Sequence, residues 1–218
     1  MAIAFDAATN DQVQGGSSTL NFSHTCTGSN RFLVVACWWG SGANTITATY
    51  NGVSMTAFGT TDNLKFFYLI NPASGANTLA VTHSAAVWCC SASYTGVHQT
   101  TYLNGSTNQV GGSGATETNA VTTTIDNSWV IAGVYQDGTD IGGLSANSGT
   151  ILRATAATTI LKIADSNLAI TPAGSHSQVW NALGTGTPNW NDYAFGLAPA
   201  LGTTSVKAKG GLITLKAG

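Results

Sequence analysis

The run Phe32-Leu33-Val34-Val35-Ala36-Cys37-Trp38-Trp39 is apolar at every position. A strand sends successive side chains to opposite faces, so this segment is hydrophobic on both. It is far too short for a membrane helix, which needs about 20 apolar residues. A two-sheet sandwich alternates inward apolar with outward polar residues, so a doubly apolar strand needs a second covering. Residues 66–70, 85–90, 129–134 and 193–198 share the property. The cover could come from the same chain, or from a neighbouring subunit in an oligomer or larger assembly. Adjacent strand residues cannot enter one core together, which makes Trp38 and Trp39 candidate interface residues.

Composition fixes the class. Of 218 residues, 7 are Lys or Arg and 9 are Asp or Glu, a net charge of −2, and 43% are hydrophobic. So little charge excludes a nucleic-acid binder that works through a basic face. That much hydrophobicity excludes disorder. Thr (32), Gly (26), Ser (19) and Asn (17) dominate, whereas Glu117 is the sole glutamate. Helix formers being this scarce, the chain is expected to be all-β, an antiparallel two-sheet sandwich of about a dozen strands. Its β-branched and aromatic runs recur every 8 to 15 positions between Gly, Asn, Ser and Pro clusters. Asn51-Gly52 accepts positive φ at both central turn positions and predicts a tight hairpin between 45–50 and 53–58. The Gly/Asn/Ser-rich stretch 100–115 reads as a long surface loop, because the strands after it do not amount to a second complete set. One domain over 1–218 is therefore expected, with a strand extension at about 203–218. The start, Met1-Ala-Ile-Ala-Phe-Asp6, has no basic region followed by a long apolar one, so synthesis and folding in the cytoplasm are expected, without membrane insertion.

The chemistry-bearing residues form no recognised catalytic arrangement. No Ser lies in a G-x-S-x-G elbow, and H-E-x-x-H, P-loop and dinucleotide fingerprints are missing. His24, His83, His98 and His176 read as surface or hydrogen-bonded structural residues. Glu117 stands in a loose Gly114–Asn119 segment where little would raise its pKa, so a glycosidase pair is not expected. Neither catalytic residue nor cofactor is assigned. Asp137 and Asp140, in the Gly-rich loop Tyr135–Gly143, could offer calcium two hard ligands, against plain turn chemistry. Trp180 and Trp190, with Tyr193 and neighbouring Asn and Asp, could stack on a sugar, or Trp190 could begin a core strand. Cys26, Cys37, Cys89 and Cys90 lack C-x-x-C spacing. They read as small buried thiols, with Cys26 as the candidate for a disulfide to a partner. A metal set from His24, Cys26 and His83 lacks further ligands. Cys89 and Cys90, adjacent in one strand, must face different environments.

Four segments together carry a resemblance. Leu20-Asn-Phe-Ser-His-Thr-Cys-Thr-Gly-Ser-Asn-Arg-Phe-Leu-Val-Val35, Ile46-Thr-Ala-Thr-Tyr-Asn-Gly-Val-Ser-Met55, Tyr68-Leu-Ile-Asn-Pro72 and Ser93-Tyr-Thr-Gly-Val-His-Gln-Thr-Thr-Tyr102 occur in that order. They resemble a β-sandwich module of phage virion proteins and bacterial surface proteins. Asn189-Trp-Asn-Asp-Tyr-Ala-Phe-Gly-Leu-Ala198 is similar to its closing strand, so the likeness spans roughly residues 2–200. It implies a jelly-roll-like fold and a role in assembly or adhesion, and brings no catalytic residues. The four cysteines and the continuation Val206-Lys-Ala-Lys-Gly-Gly-Leu-Ile-Thr-Leu-Lys216 depart from the pattern.

The expected function is thus that of a non-enzymatic virion structural protein. A capsid decoration or head- or tail-associated protein would form homo-oligomers and bind capsid or tail proteins, with Leu212, Ile213 and Leu215 available to pair with a neighbour. The alternatives are a receptor- or carbohydrate-binding module of a fibre or extracellular surface, and an extracellular filament subunit.

Overall fold

The computed structural model describes residues 1–40, 44–60, 63–105, 108–137, 144–147, 149–156, 161–182, 189–208 and 211–216. Among them the protein is all-β, with nineteen strands and no α-helix. The first nine are β1 (Ala4–Gln14), β2 (Ser18–Cys26), β3 (Phe32–Trp38), β4 (Ile46–Tyr50), β5 (Val53–Ser54), β6 (Thr56–Thr60), β7 (Leu64–Ile70), β8 (Gly75–His83) and β9 (Val87–Thr95). Eight more follow: β10 (Asn108–Ser113), β11 (Thr116–Thr122), β12 (Trp129–Asp137), β13 (Leu144–Ala146), β14 (Ile151–Ala156), β15 (Leu161–Asp165), β16 (Ser175–Ala182) and β17 (Asn189–Leu197). The last two are β18 (Thr203–Ala208) and β19 (Gly211–Lys216).

These strands make two antiparallel sandwiches of one jelly-roll-like topology. In the first, the sheet β1-β9-β3-β7-β6 faces the sheet β2-β8-β4-β5. In the second, β10-β17-β12-β15-β14 faces β11-β16-β13. Matching β1 to β10, β2 to β11, β3 to β12, β4 to β13, β6 to β14, β7 to β15, β8 to β16 and β9 to β17 reproduces both strand orders. The dozen strands expected from sequence were too few, and the strands after residue 115 do complete a second set. The missing opening strand is β10, inside the stretch read as a surface loop. It lies at a sheet edge and carries Gly111 and Gly112, so its sequence lacks the apolar pattern of an interior strand.

Register makes the equivalence exact to the residue. Phe32 pairs with Tyr94 and Ile70 on its two sides, and Trp129 with Leu197 in the matching place. Asn30 and Asn127, two residues before Phe32 and Trp129, both hold positive φ (53° and 63°) to turn the chain into the strand. Leu64-Lys65 pairs with Trp38-Cys37 as Leu161-Lys162 pairs with Tyr135-Val134. Leu64 and Leu161 stand 97 residues apart, as Phe32 and Trp129 do.

The two sandwiches pack with their five-stranded sheets back to back, giving four layers and three cores. Inside the first sandwich, Leu33, Val35, Cys37 and Trp39 meet Leu20, Phe22, Tyr50 and Leu79. Between the sandwiches, Phe32, Val34, Ala36 and Trp38 meet Trp129, Ile131, Tyr135 and Phe195. Inside the second, Val130, Ala132 and Val134 meet Val121 and Trp180. This arrangement answers the doubly apolar strands: alternate residues of β3 enter different cores, and the chain itself supplies the second cover. Trp38 and Trp39, expected as interface candidates, are both buried and lie in different cores.

Polar ties lock the middle layers. Arg153 on β14 donates to Asp165 from Nε (2.6 Å) and Nη2 (3.0 Å), and its guanidinium lies 4.5 Å from the centre of the Phe5 ring on β1. The Thr155 amide donates to Asn10 Oδ1 across the same seam at 3.0 Å.

The turn predicted at Asn51-Gly52 is present between β4 and β5, with φ of 49° and 75° at its two residues, but the second arm is shorter than the 53–58 expected: after Ser54 the chain crosses to the other sheet, where β6 pairs with β7. β18 and β19 pair antiparallel with each other, and no other described strand joins them. The side chains of Leu212, Ile213 and Leu215 on β19 lie outside the described residues.

Candidate functional site: a polar interior in the second sandwich

The register identifies seven inward seats that can be compared between the sandwiches. In the first they are Leu20, Phe22, Trp39, Leu79, Val81, Val87 and Cys89, all members of one hydrophobic core. In the second the same seats hold Glu117, Asn119, Gln136, Gln178, Trp180, Trp190 and Asp192. All seven of these are buried, Glu117 being the most exposed at 7%. The topology folds well with hydrocarbon in these places. Burying amides and carboxyls there is unfavourable unless they find partners, so the topology itself does not call for the second set.

The seats fall into two adjoining levels between the sheets. Gln136 pairs with Trp190 on one sheet, and Glu117 pairs with Trp180 on the other. One step further in, Val134 pairs with Asp192, and Asn119 with Gln178. Val130, Ala132 and Val134 face the second sandwich's core, and Gln136 continues their alternation. Gln178 likewise shares the face of Trp180.

Asp192 is the hub. Its Oδ2 accepts from Trp180 Nε1 at 2.8 Å, and its Oδ1 accepts from Asn119 Nδ2 at 3.3 Å. Complete burial pushes its pKa up to about 7, against those two hydrogen bonds, and the Glu117 carboxyl nearby adds to the rise. Burial also raises Glu117. Trp190 Nε1 donates to the Gly114 carbonyl at 2.7 Å. Glu117 Oε1 and both amide atoms of Gln136 and of Gln178 are buried without a hydrogen-bond partner. Lys162 faces the same interior from β15, but stands across β12 from Asp192, each pairing with Val134.

Several expectations change here. Glu117 belongs to strand β11, in a buried seat that raises its pKa, and not to a loose segment. Trp180 and Trp190 are buried (0% and 1% exposed) and hydrogen-bonded inside, so neither is a surface platform for a sugar. Asp137 ends β12 with its side chain outside the described residues, and Asp140 lies outside them altogether. Cys26 is a free, fully buried thiol, which removes it as a disulfide partner for another chain. Cys89 and Cys90 do enter different cores, Cys89 beside Cys37 with 3.2 Å between sulfurs.

The histidines are held by local structure. His24 is buried, its Nδ1 standing 3.0 Å from Thr9 Oγ1 and 2.9 Å from Ser91 Oγ, and burial lowers its pKa to about 4. His83 Nδ1 lies 2.6 Å from the Ala85 carbonyl, and His176 Nε2 lies 2.8 Å from that of Gly149. His98 Nδ1 accepts from the Thr100 and Thr101 amides.

Sequence reasoning missed Asn119, Gln136, Gln178 and Asp192. The available signal was the internal repeat, which sets each of them against an apolar counterpart. Comparison with protein-family models, with curated proteins and with solved structures finds no match.

Proposed function

We propose that this protein is a non-enzymatic structural component of a phage virion, a capsid decoration or head- or tail-associated protein that attaches to the particle and to further copies of itself. The observation that carries the reading is the β18–β19 hairpin, which pairs only with itself among the described strands. A two-stranded hairpin is marginal alone, and its free edges offer backbone groups for an added strand. The rest of the described chain supports the same reading. Its sheets are stacked into one body whose strongly apolar strands are already covered, so attachment through the hairpin leaves that body intact. Jelly rolls serve capsid and lectin proteins alike, and fold alone does not choose between them. The buried positions of Trp180 and Trp190 weigh against the sugar-binding alternative.

The test compares the full chain with one ending at Gly202. Light scattering and circular dichroism of both establish mass and folding, and mass spectrometry of purified particles of the encoding phage measures incorporation. The full chain is expected in the particles, and the folded truncation is expected to be lost from them. Particles without the full chain, or equal incorporation of both, overturn the proposal.

A further inference from the structure

We propose that the interior of the second sandwich is a binding site for a hard divalent cation, calcium in preference to magnesium, formed by the carboxylates of Glu117 and Asp192 and the amide oxygens of Gln136 and Gln178. The inference stands apart from the virion reading, and rests on three observations.

The first is the exchange of seats. Five apolar residues of one sandwich, Leu20, Phe22, Trp39, Leu79 and Cys89, are replaced in the other by five side chains that each carry an oxygen ligand. The second is that three of the five remain unsatisfied while buried. Gln136 and Gln178 are each fully buried with both amide atoms unpartnered, and Glu117 Oε1 is buried and unpartnered. Native interiors rarely leave such groups unmatched, and here they come from both sheets into two neighbouring levels. The third is charge. The Glu117 and Asp192 carboxyls are both buried and close enough to interact. A divalent ion would neutralise both.

The donor set is all oxygen, the chemistry of calcium and magnesium and not of zinc or copper. Mixed carboxylate and amide ligands in an irregular cage suit calcium's tolerant coordination better than the strict octahedron of magnesium. Each Asp192 oxygen gives one lone pair to Trp180 or Asn119 and keeps another for a metal. The Trp180 bond then makes an internal reporter, because an ion on Asp192 changes the field at that indole.

The full-length protein is stripped with EDTA, then titrated with calcium chloride while tryptophan emission and the midpoint of thermal unfolding are followed. Magnesium chloride, and sodium chloride at equal ionic strength, serve as controls. Wild type should show a saturable rise in midpoint and a change in emission with calcium, a smaller response to magnesium and none to sodium. Glu117→Gln and Asp192→Asn should each weaken calcium binding by about tenfold or more. Glu117→Gln keeps the side chain's size and leaves the Asp192 hydrogen bonds to Trp180 and Asn119 in place, so it keeps the test decisive if Asp192→Asn fails to fold. Identical midpoints and emission in calcium, magnesium and sodium overturn the proposal. So does a calcium response that Glu117→Gln leaves unchanged, since the ion would then be bound elsewhere.

Discussion

Trp38 and Tyr135 stack with ring centroids 4.7 Å apart and planes 22° from parallel, and they hold the same position in the two halves of a repeated fold. Equivalent residues meet in this way on the axis of an isologous dimer. The chain thus contains, between its own halves, the kind of contact that two subunits would otherwise form. Trp88 closes on the same indole at 4.5 Å. Trp38→Ala should therefore destabilise the protein by about 3–5 kcal/mol, whereas a surface substitution would be near neutral. Denaturant unfolding of Trp38→Phe, Tyr135→Leu and the double variant should give a coupling energy of about 0.5–1.5 kcal/mol for the pair. Additive effects would mean that the stack contributes nothing beyond buried area.

Gly133 sits in the same seam. A Cβ there would lie 2.1 Å from Phe66 Cζ, and Phe66 is itself packed against Phe58 and Tyr193. Its counterpart in the first sandwich is Ala36, so the topology accepts a methyl and the neighbour forbids it. Gly133→Ala should lower stability by about 1–3 kcal/mol through overpacking. Adding Phe66→Leu should recover part of that loss in a thermal melt, and a double variant worse than either single one would contradict this account.

The repeat also explains how much of the fold was legible. Doubly apolar strands such as Phe32–Trp39 announced more layers than a simple sandwich, and Asn51-Gly52 announced its hairpin, because both signals are local. The duplication was harder to see. Asn30-Arg-Phe-Leu-Val-Val-Ala36 and Asn127-Ser-Trp-Val-Ile-Ala-Gly133 share only size and polarity at most positions. A reading by strands treats them as two unrelated segments, where a search for periodicity would set them together. The polar interior was less legible still. Gln136, Gln178 and Asp192 look like outward residues by type, and only the register turns them inward.

His24 should make the protein acid-sensitive. Its usual pKa near 6.5 applies to the unfolded chain, while burial holds it at about 4 in the fold. As pH falls across that window the unfolded chain takes up a proton that the folded chain refuses. Stability therefore falls by about 3 kcal/mol between these values and levels off below them. Asp192 acts in the opposite sense in EDTA, keeping its proton in the fold up to about 7, so the comparison must isolate His24. His24→Val, which installs the residue found in the equivalent seat, Val121, should lose less stability than wild type between pH 7 and pH 4 in urea melts. Parallel curves for the two proteins would rule His24 out.

The thiols should be inert. All four cysteines are free and fully buried, and burial raises the pKa of Cys26 and Cys89. A thiol reagent added to the native protein should label none of them at a rate faster than global unfolding, and should label four in denaturant. Reductant should leave the solution mass unchanged. A mass that drops on reduction would mean that a cysteine reaches another chain, in conflict with the burial of Cys26.

Gln178 separates a polar interior that serves a ligand from one that serves the fold. In the first sandwich its seat is Leu79, and in the second both atoms of its amide are buried without partners. If the amide contributes nothing to folding, Gln178→Leu, similar in volume, should stabilise the protein by about 1–3 kcal/mol in EDTA, because the desolvated amide is removed. In saturating calcium the gain should shrink or reverse, since the same substitution removes a ligand and with it the stabilisation that binding confers. Chemical denaturation in the two buffers measures both. A loss of stability in EDTA would show that Gln178 is held by the fold for its own sake, and would transfer the argument from ligand to structure at that seat.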